Sequence, residues 1–374
     1  MRTLEQDIAQ YHAWVRSCCD VDNVGLMAKR ERMLESPFAF LRATYFRWAA
    51  TCESICPELA SAPRIACLGD IHVENYGTWR DADGRLVWGI NDFDEVATMP
   101  YAFDLVRLAT SALLAPDFRA KPGAIVSAIL EGYAQGLAAP CASLLDDNAG
   151  WLRAFANPTQ ASSIKFWREV DQCPDATPPA DVQRSLVASL PKDALVERFA
   201  SRIKGGGSLG RPRHLVIAQW RGGRIVREAK AYVPSAWTWA HAGSGGRPWY
   251  TLLAQGAFRS PDPTLQSLPG VTIRRMAPDA RKIELGDLEK SLSLQLLHAM
   301  GADLAAVHAS DPRSAPILDD LSGRHASWLK RCSLAALAGT QVDFQEYSAS
   351  RGRMFRIPEQ ASPGRLGTSS TTAP

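Results

Sequence analysis

Gly69-Asp70-Ile71-His72-Val73-Glu74-Asn75, followed by Asn91-Asp92-Phe93-Asp94-Glu95, is the stretch on which the reading of this chain turns. Each acid-rich turn is entered from a short apolar run, Ile65-Ala66-Cys67-Leu68 and Leu86-Val87-Trp88-Gly89-Ile90, and runs of that length read as buried strands. Both turns are therefore expected at neighbouring strand ends, where several carboxylates and amides gather in one place. Carboxylates so placed point to metal or proton chemistry.

Asp70 and Asn75 stand five apart, and Asp92 follows Asn75 by seventeen on the next strand turn. Kinase catalysis uses this layout: an aspartate orients the acceptor hydroxyl, an asparagine helps hold a metal, and an aspartate after the next hairpin grips the metal on the nucleotide phosphates. Mg2+ favours oxygen ligands, which Asn75, Asp92 and Asp94 supply. The plain alternative for these residues is turn and capping chemistry. His72 is a candidate catalytic or metal residue, although in such a loop a histidine more often orients backbone. Asp94 and Glu95 read equally as metal-binding or solvated.

At 374 residues the chain exceeds the usual single-core limit, so two lobes or domains are expected. A net charge of only +3, with 22% charged and 46% hydrophobic residues, argues against nucleic acid or an acidic membrane as the main partner. Eight scattered cysteines, no apolar leader and no run of transmembrane length point to a cytoplasmic protein with reduced thiols. Cys52-x-x-x-Cys56 has metal-like spacing, but it sits in a helical run without a second pair, so core thiols are the better reading.

Helical periodicity opens the chain (Leu4, Ile8, Tyr11, Val15), and Ser36-Pro37 starts an amphipathic helix from Phe38 to about Ala50. After the acid turns, Tyr101 to Leu114 is an apolar helix in which Asp104, Arg107 and Ser111 share one polar face that wants partners. Helical patterns run from Ala124 to Leu137, Leu144 to Phe155, Leu285 to His308 and Arg324 to Leu337. From Ile203 the pattern turns β-like, with a hairpin, His214 to Trp220 and Arg224 to Lys230, around Gly222-Gly223, and a further strand at Val271 to Arg275.

Gly205-Gly206-Gly207-Ser208-Leu209-Gly210 fits G-x-G-x-x-G, whose backbone N–H groups approach phosphate oxygens. Hairpin sequence, not a helix, follows it, which disfavours a dinucleotide-binding unit. The hairpin places Lys230 on its second strand, where it can pair with nucleotide phosphates. An ordinary kinase puts its glycine loop and lysine first. Here the acid turns come first, which a permuted chain order accommodates.

Ser36-Pro37-Phe38-Ala39-Phe40-Leu41-Arg42, Gly69-Asp70-x-His72-x-x-Asn75-x-Gly77, Asn91-Asp92-Phe93-Asp94-Glu95, Asp104-x-x-Arg107-Leu108, Gly205-x-Gly207-Ser208-x-Gly210, Lys230 with Pro234-Ser235-Ala236, and Arg274 to Asp279 together resemble the bacterial domain-of-unknown-function 2252 family, over about residues 26 to 320. That family is similar to the protein-kinase and aminoglycoside-phosphotransferase superfamily with rearranged segment order. The resemblance implies Asp70 as catalytic base, Asn75 and Asp92 as metal ligands, Lys230 as the phosphate lysine and Asp104 as a support for the catalytic loop. Glu228, Glu284 and Glu289 are candidates for the lysine's acidic partner. Ala43, Tyr76 and Arg211-Pro212 depart from the family's usual residues, and Pro212 removes a backbone donor beside the glycine loop.

The expected fold is α+β, protein-kinase-like and two-lobed, in circularly permuted order. Its parts are a helical lobe with the catalytic and metal-binding turns (1–195), a β-rich nucleotide lobe (196–284), C-terminal helices (285–347) and a disordered tail (348–374). The expected activity is ATP- and Mg2+-dependent phosphoryl transfer to the hydroxyl of an unknown, small-molecule acceptor. The catalytic set is Asp70, His72 and Asp104; Gly205, Gly207, Ser208, Gly210 and Lys230 bind the nucleotide; Asn75, Asp92 and Asp94 bind metal. Alternatives are a metal-dependent phosphoesterase, since Gly-Asp-x-His also opens such patterns, and a nucleotide-binding pseudokinase or nucleotidyl transferase.

Overall fold

Thr3 begins the first helix, α1 (Leu4–Cys18), with a capping box in which its side chain accepts the Gln6 amide and Gln6 reaches back. Asp22 caps α2 (Asn23–Arg32), and Ser36 caps α3 (Pro37–Ala43) with proline at its first turn. The single helix expected from Phe38 to about Ala50 is two helices. Thr44 leaves helical geometry (φ −123°, ψ 37°), and α4 (Tyr45–Ile55) starts after it. The computed structural model describes residues 2–156, 159–241, 246–282 and 290–355.

The two acid turns lie among short strands: β1 (Arg64–Cys67), β2 (Tyr76–Arg80), β3 (Leu86–Ile90) and β4 (Ala97–Pro100). β1 pairs with β4, whereas β2 pairs with β3, so the strands that enter the two turns belong to different small sheets. Behind them stand α5 (Ala102–Leu114), most of it buried, and α6 (Pro122–Ala138). The helix expected from Leu144 to Phe155 is confined to its end. Ser143–Leu144 is strand β5 on β3, and α7 (Arg153–Ala156) follows a 3-10 turn.

Helices α8 (Gln160–Asp171) and α9 (Ala180–Ala188) precede β6 (Leu195–Ser201), β7 (Arg213–Trp220) and β8 (Gly223–Ala231). The β7–β8 hairpin turns on Arg221-Gly222, both at positive φ, as a two-residue turn requires. After α10 (Ala236–Ala240) and α11 (Arg247–Ala254), β9 (Gln266–Leu268) and β10 (Val271–Met276) complete an antiparallel sheet in the order β6-β7-β8-β10-β9. Alternation buries both faces. Leu215, Ile217 and Val226 pack with Val170 of α8, while Val216, Ala229 and Ile273 pack with Val182 and Leu186 of α9. The sheet thus takes its cover from helices that precede the expected boundary at 195/196.

The main core lies among the other helices, including α12 (Lys290–Ala309), α13 (Ile317–Gly323) and α14 (Trp328–Ala349). Of the expected helix Leu285 to His308, the part before 290 lies outside the described residues. The helix expected to end near Leu337 continues to Ala349. Of the expected tail, 348–355 is described and Phe355 is buried, its ring 4.2 Å from that of His12; 356–374 lie outside the described residues. No helix among the described residues is long and apolar enough to cross a membrane, and all eight cysteines are unpaired. The architecture is mixed α+β.

Candidate active site

The polar stripe of α5 holds the first acid turn from below. Asp104 accepts the amides of Leu68 at 2.7 Å and Gly69 at 2.9 Å, and Ser111 Oγ accepts the Val73 amide at 3.0 Å. Arg107 lies between them and donates to Asp70 Oδ1 at 2.5 Å and to the Leu41 carbonyl at 2.9 Å. Asp104 also meets His308 Nε2 at 3.1 Å, and the other ring nitrogen of His308 pairs with the Tyr133 hydroxyl at 2.8 Å. Gly69 sits at φ 72°, and a side chain there would collide with the Tyr45 hydroxyl. Cys67, Asp104 and His308 stand close enough to share a cation, but the Asp104 oxygens are taken by two amides and a ring nitrogen, which makes the group a buried brace.

Antiparallel register brings the second turn to the first. Tyr76 pairs with Ile90, so Asn75 and Asn91 stand opposite one another and the Asn91 amide donates to the Asn75 carbonyl at 3.0 Å. Asn75 Nδ2 donates to the Asp70 carbonyl at 2.7 Å, which leaves its Oδ1 as the uncommitted acceptor. His72 Nδ1 accepts the Glu74 amide at 3.2 Å and caps the 3-10 turn Val73–Asn75. Burial, aided by the charges of Arg42, Lys282 and Arg107, holds His72 well below its ordinary range, so it is neutral and braces the loop.

Lys230 reaches across from β8 into a direct ion pair with Asp94, 3.6 Å from Asp92 Oδ2. Its acidic partners are therefore on the second turn. Glu228, two residues earlier on the same strand, is fully buried and is held by Arg202 at 2.7 Å, Arg213 at 2.9 Å and Arg274 at 2.7 Å. Glu284 and Glu289 lie outside the described residues. Asp92 keeps 45% of its side chain exposed. Burial pushes its carboxyl up, but Lys230, Arg213 and Arg274 outweigh this and hold it below the ordinary range. Glu95 turns away: it accepts Arg211 at 2.7 Å and the Ala236 amide at 2.6 Å, tying α10 and the end of the glycine loop to the turn.

The glycine loop closes over Asp70. A Cβ on Gly207 would stand 3.2 Å from Asp70 Oδ2 and 3.0 Å from the Arg42 carbonyl, too close for any side chain without movement. Lys29 and Arg32 of α2 donate to the loop's carbonyls, to Gly207 O at 2.8 Å and to Gly205 O at 3.2 Å. Ser208 Oγ accepts Arg213 at 2.7 Å, Gly205 and Gly210 adopt positive φ, and Pro212 continues into β7, where its carbonyl accepts the Ala231 amide at 2.9 Å. The amides of Gly205 to Ser208 meet no protein acceptor among the described residues. A run of free amide donors of this kind can receive an anion.

Asp70, His72, Asn75, Asp92, Asp94, Lys230 and the loop from Gly205 to Ser208 line one cleft of about 980 Å³, bordered by fourteen Lys and Arg and nine Asp and Glu side chains; Asp104, Arg107 and His308 stand behind it. The excess of positive charge there exceeds that of the whole chain, so the cleft suits an anionic ligand. Asp70 is distinctive within it. Burial pushes its carboxyl up to about 6 although Arg107 opposes the shift, and Glu95 adds to it.

Residues 22–160 match the family model described as an uncharacterized protein conserved in bacteria (DUF2252). The match spans both acid turns and α5, and ends before the glycine loop and Lys230, short of the 26 to 320 over which the motifs resemble that family. No curated protein and no solved structure matches the chain. Lys29 and His308 enter the site or its support without any local signal in the sequence, and Arg42 and Arg211 stand in quoted motifs to which no site role was attached. Each sits in an otherwise ordinary helix or loop and is brought in by packing.

Proposed function

We propose that this chain is a kinase-like, ATP- and Mg2+-dependent phosphotransferase acting on the hydroxyl of a small molecule, with its catalytic turns preceding the glycine loop in chain order. One observation carries the reading: a lysine and a glycine-rich loop from residues 205–230 converge on Asp70, Asn75, Asp92 and Asp94, with the Lys230 ammonium paired to Asp94 and facing Asp92. That cation marks where two carboxylates attract positive charge.

The donor set fits Mg2+, since Asn75 Oδ1 and the carboxylates of Asp92 and Asp94 are hard oxygen ligands and would hold it. When bound, the ion would neutralise charge on the nucleotide phosphates. Arg107 fixes Asp70 through Oδ1, which leaves Oδ2 to accept the acceptor's O–H and turn its oxygen toward the terminal phosphorus. As the O–P bond forms and the bond to ADP breaks, the hydroxyl proton passes to Asp70. Lys230 steadies phosphate oxygens, and the amides of Gly205 to Ser208 receive others. Catalysis is then mostly positioning and charge stabilisation.

The test is calorimetric titration of ATP with and without Mg2+ into the native chain, Lys230→Ala and Asp92→Ala. Binding that requires Mg2+ and falls at least tenfold in both variants is expected. A well-folded native chain that binds no nucleotide would overturn the reading.

A further inference from the structure

On the side of Asp70 formed by α2 and α3, the cleft carries cations that the nucleotide-binding groups do not use. Lys29 is 2% exposed, yet its three donors meet one protein acceptor among the described residues, the Gly207 carbonyl at 2.8 Å. Its ammonium otherwise faces the Tyr11 and Phe46 rings, 5.9 Å from each centroid. Arg42 is 6% exposed; it pairs with Glu74 at 3.0 Å, and its Nε meets no partner among the described residues. Arg32 gives one nitrogen to the Gly205 carbonyl, and its Nε is likewise without a partner among the described residues. Glu74, the ion-pair partner of Arg42, is shared with Lys282 at 3.2 Å.

Gly207 ties the cluster to the reaction centre. Its carbonyl receives Lys29, while its Cα faces Asp70 Oδ2 and the Arg42 carbonyl. Buried cations with unused donors are costly unless something completes them. The groups assigned to the triphosphate are Lys230, the loop amides and the metal-binding carboxylates, whereas Lys29 and Arg32 meet the carbonyls of the same loop. Burial, with Arg211 nearby, pushes Lys29 down to about 7, so an arriving anion would restore its proton affinity as well as pair its charge.

We propose that the acceptor is itself an anionic small molecule whose phosphate group is held by Lys29, Arg32 and Arg42 while Asp70 receives its hydroxyl. This rests on the phosphotransferase reading. Three cations match a dianionic phosphate better than a carboxylate, and guanidinium groups bind phosphate through paired N–H donors.

Inorganic phosphate serves as the probe, titrated into the full chain before and after saturation with Mg2+ and a non-hydrolysable ATP analogue, with acetate in parallel. Phosphate is expected to bind the nucleotide-loaded chain, to bind more tightly than acetate, and to weaken at least tenfold in Lys29→Met and in Arg42→Gln. Circular dichroism checks folding, and Arg42→Gln carries the test if Lys29→Met does not fold. Loss of phosphate binding on nucleotide loading would place the anion in the nucleotide's own site and overturn the proposal. Undiminished binding in both variants, or equal binding of acetate, would overturn it too. Should the analogue fail to bind while phosphate binding remains sensitive to both substitutions, the phosphotransferase reading falls and the phosphate site stands.

Discussion

The two oxygens of Asp70 have different surroundings, and that division sets its chemistry. Oδ1 is locked by Arg107, while Oδ2 lies under Gly207, facing the cleft. Burial raises the carboxyl to about 6 against the opposing pull of Arg107. Only the ionised form accepts a hydroxyl proton, so kcat/KM is expected to rise with pH through about 6 and level off above it. Asp70→Asn should lower kcat by about 10²–10⁴-fold and remove that limb; an unchanged acidic limb in the variant would assign it to another group. The sign for stability is opposite. A carboxyl whose folded value is raised favours the protonated fold, so its contribution is present below its unfolded value, about 3.9, and is lost as pH rises through about 6.

Among the elements, α5 does most to shape the site. Three side chains on one face, Asp104, Arg107 and Ser111, hold Leu68, Gly69, Asp70 and Val73, so one helix positions the whole first turn. The stripe was legible because a polar i, i+3, i+7 pattern inside an apolar helix demands buried partners. Asp104→Ala leaves two amides and His308 without their acceptor and should cost about 3–5 kcal/mol in denaturant unfolding. Ser111→Ala, which removes one neutral hydrogen bond, should cost about 1 kcal/mol. A loss below about 1 kcal/mol for Asp104→Ala would show that the turn is held by other means. The break between α3 and α4 was not legible, because the apolar pattern continues through Thr44 while its backbone leaves the helix.

At the scale of the molecule, the cleft is assembled from segments far apart in the chain. α2 holds the glycine loop through Lys29 and Arg32, β8 supplies Lys230, and α12 supplies His308 beneath Asp104. A ligand that bridges these parts stabilises only the folded arrangement. Mg2+ with ATP at a hundred times its dissociation constant should therefore add about 2.7 kcal/mol, read as a rise in the unfolding midpoint. At the same nucleotide concentration the gain should fall to about 1.4 kcal/mol or less in Lys230→Ala. A midpoint indifferent to nucleotide in the native chain would detach the cleft from nucleotide binding.

By itself the sequence determined the mixed α and β content, the two acid turns, the β7–β8 hairpin and the polar face of α5, since each is written in residues close along the chain. Local periodicity and turn chemistry need no distant partner to be read. Only the tertiary structure decided that Lys230 pairs with Asp94 near Asp92, that Glu228 belongs to three arginines, and that Lys29 and Arg42 stand beside Asp70. It also decided that α8 and α9 cover the large sheet. Charge pairing depends on distance in space, and at Glu228 and Lys230 the same strand face offered both an adjacent carboxylate and a remote pair. Packing of the sheet against the acid turns selected the remote pair.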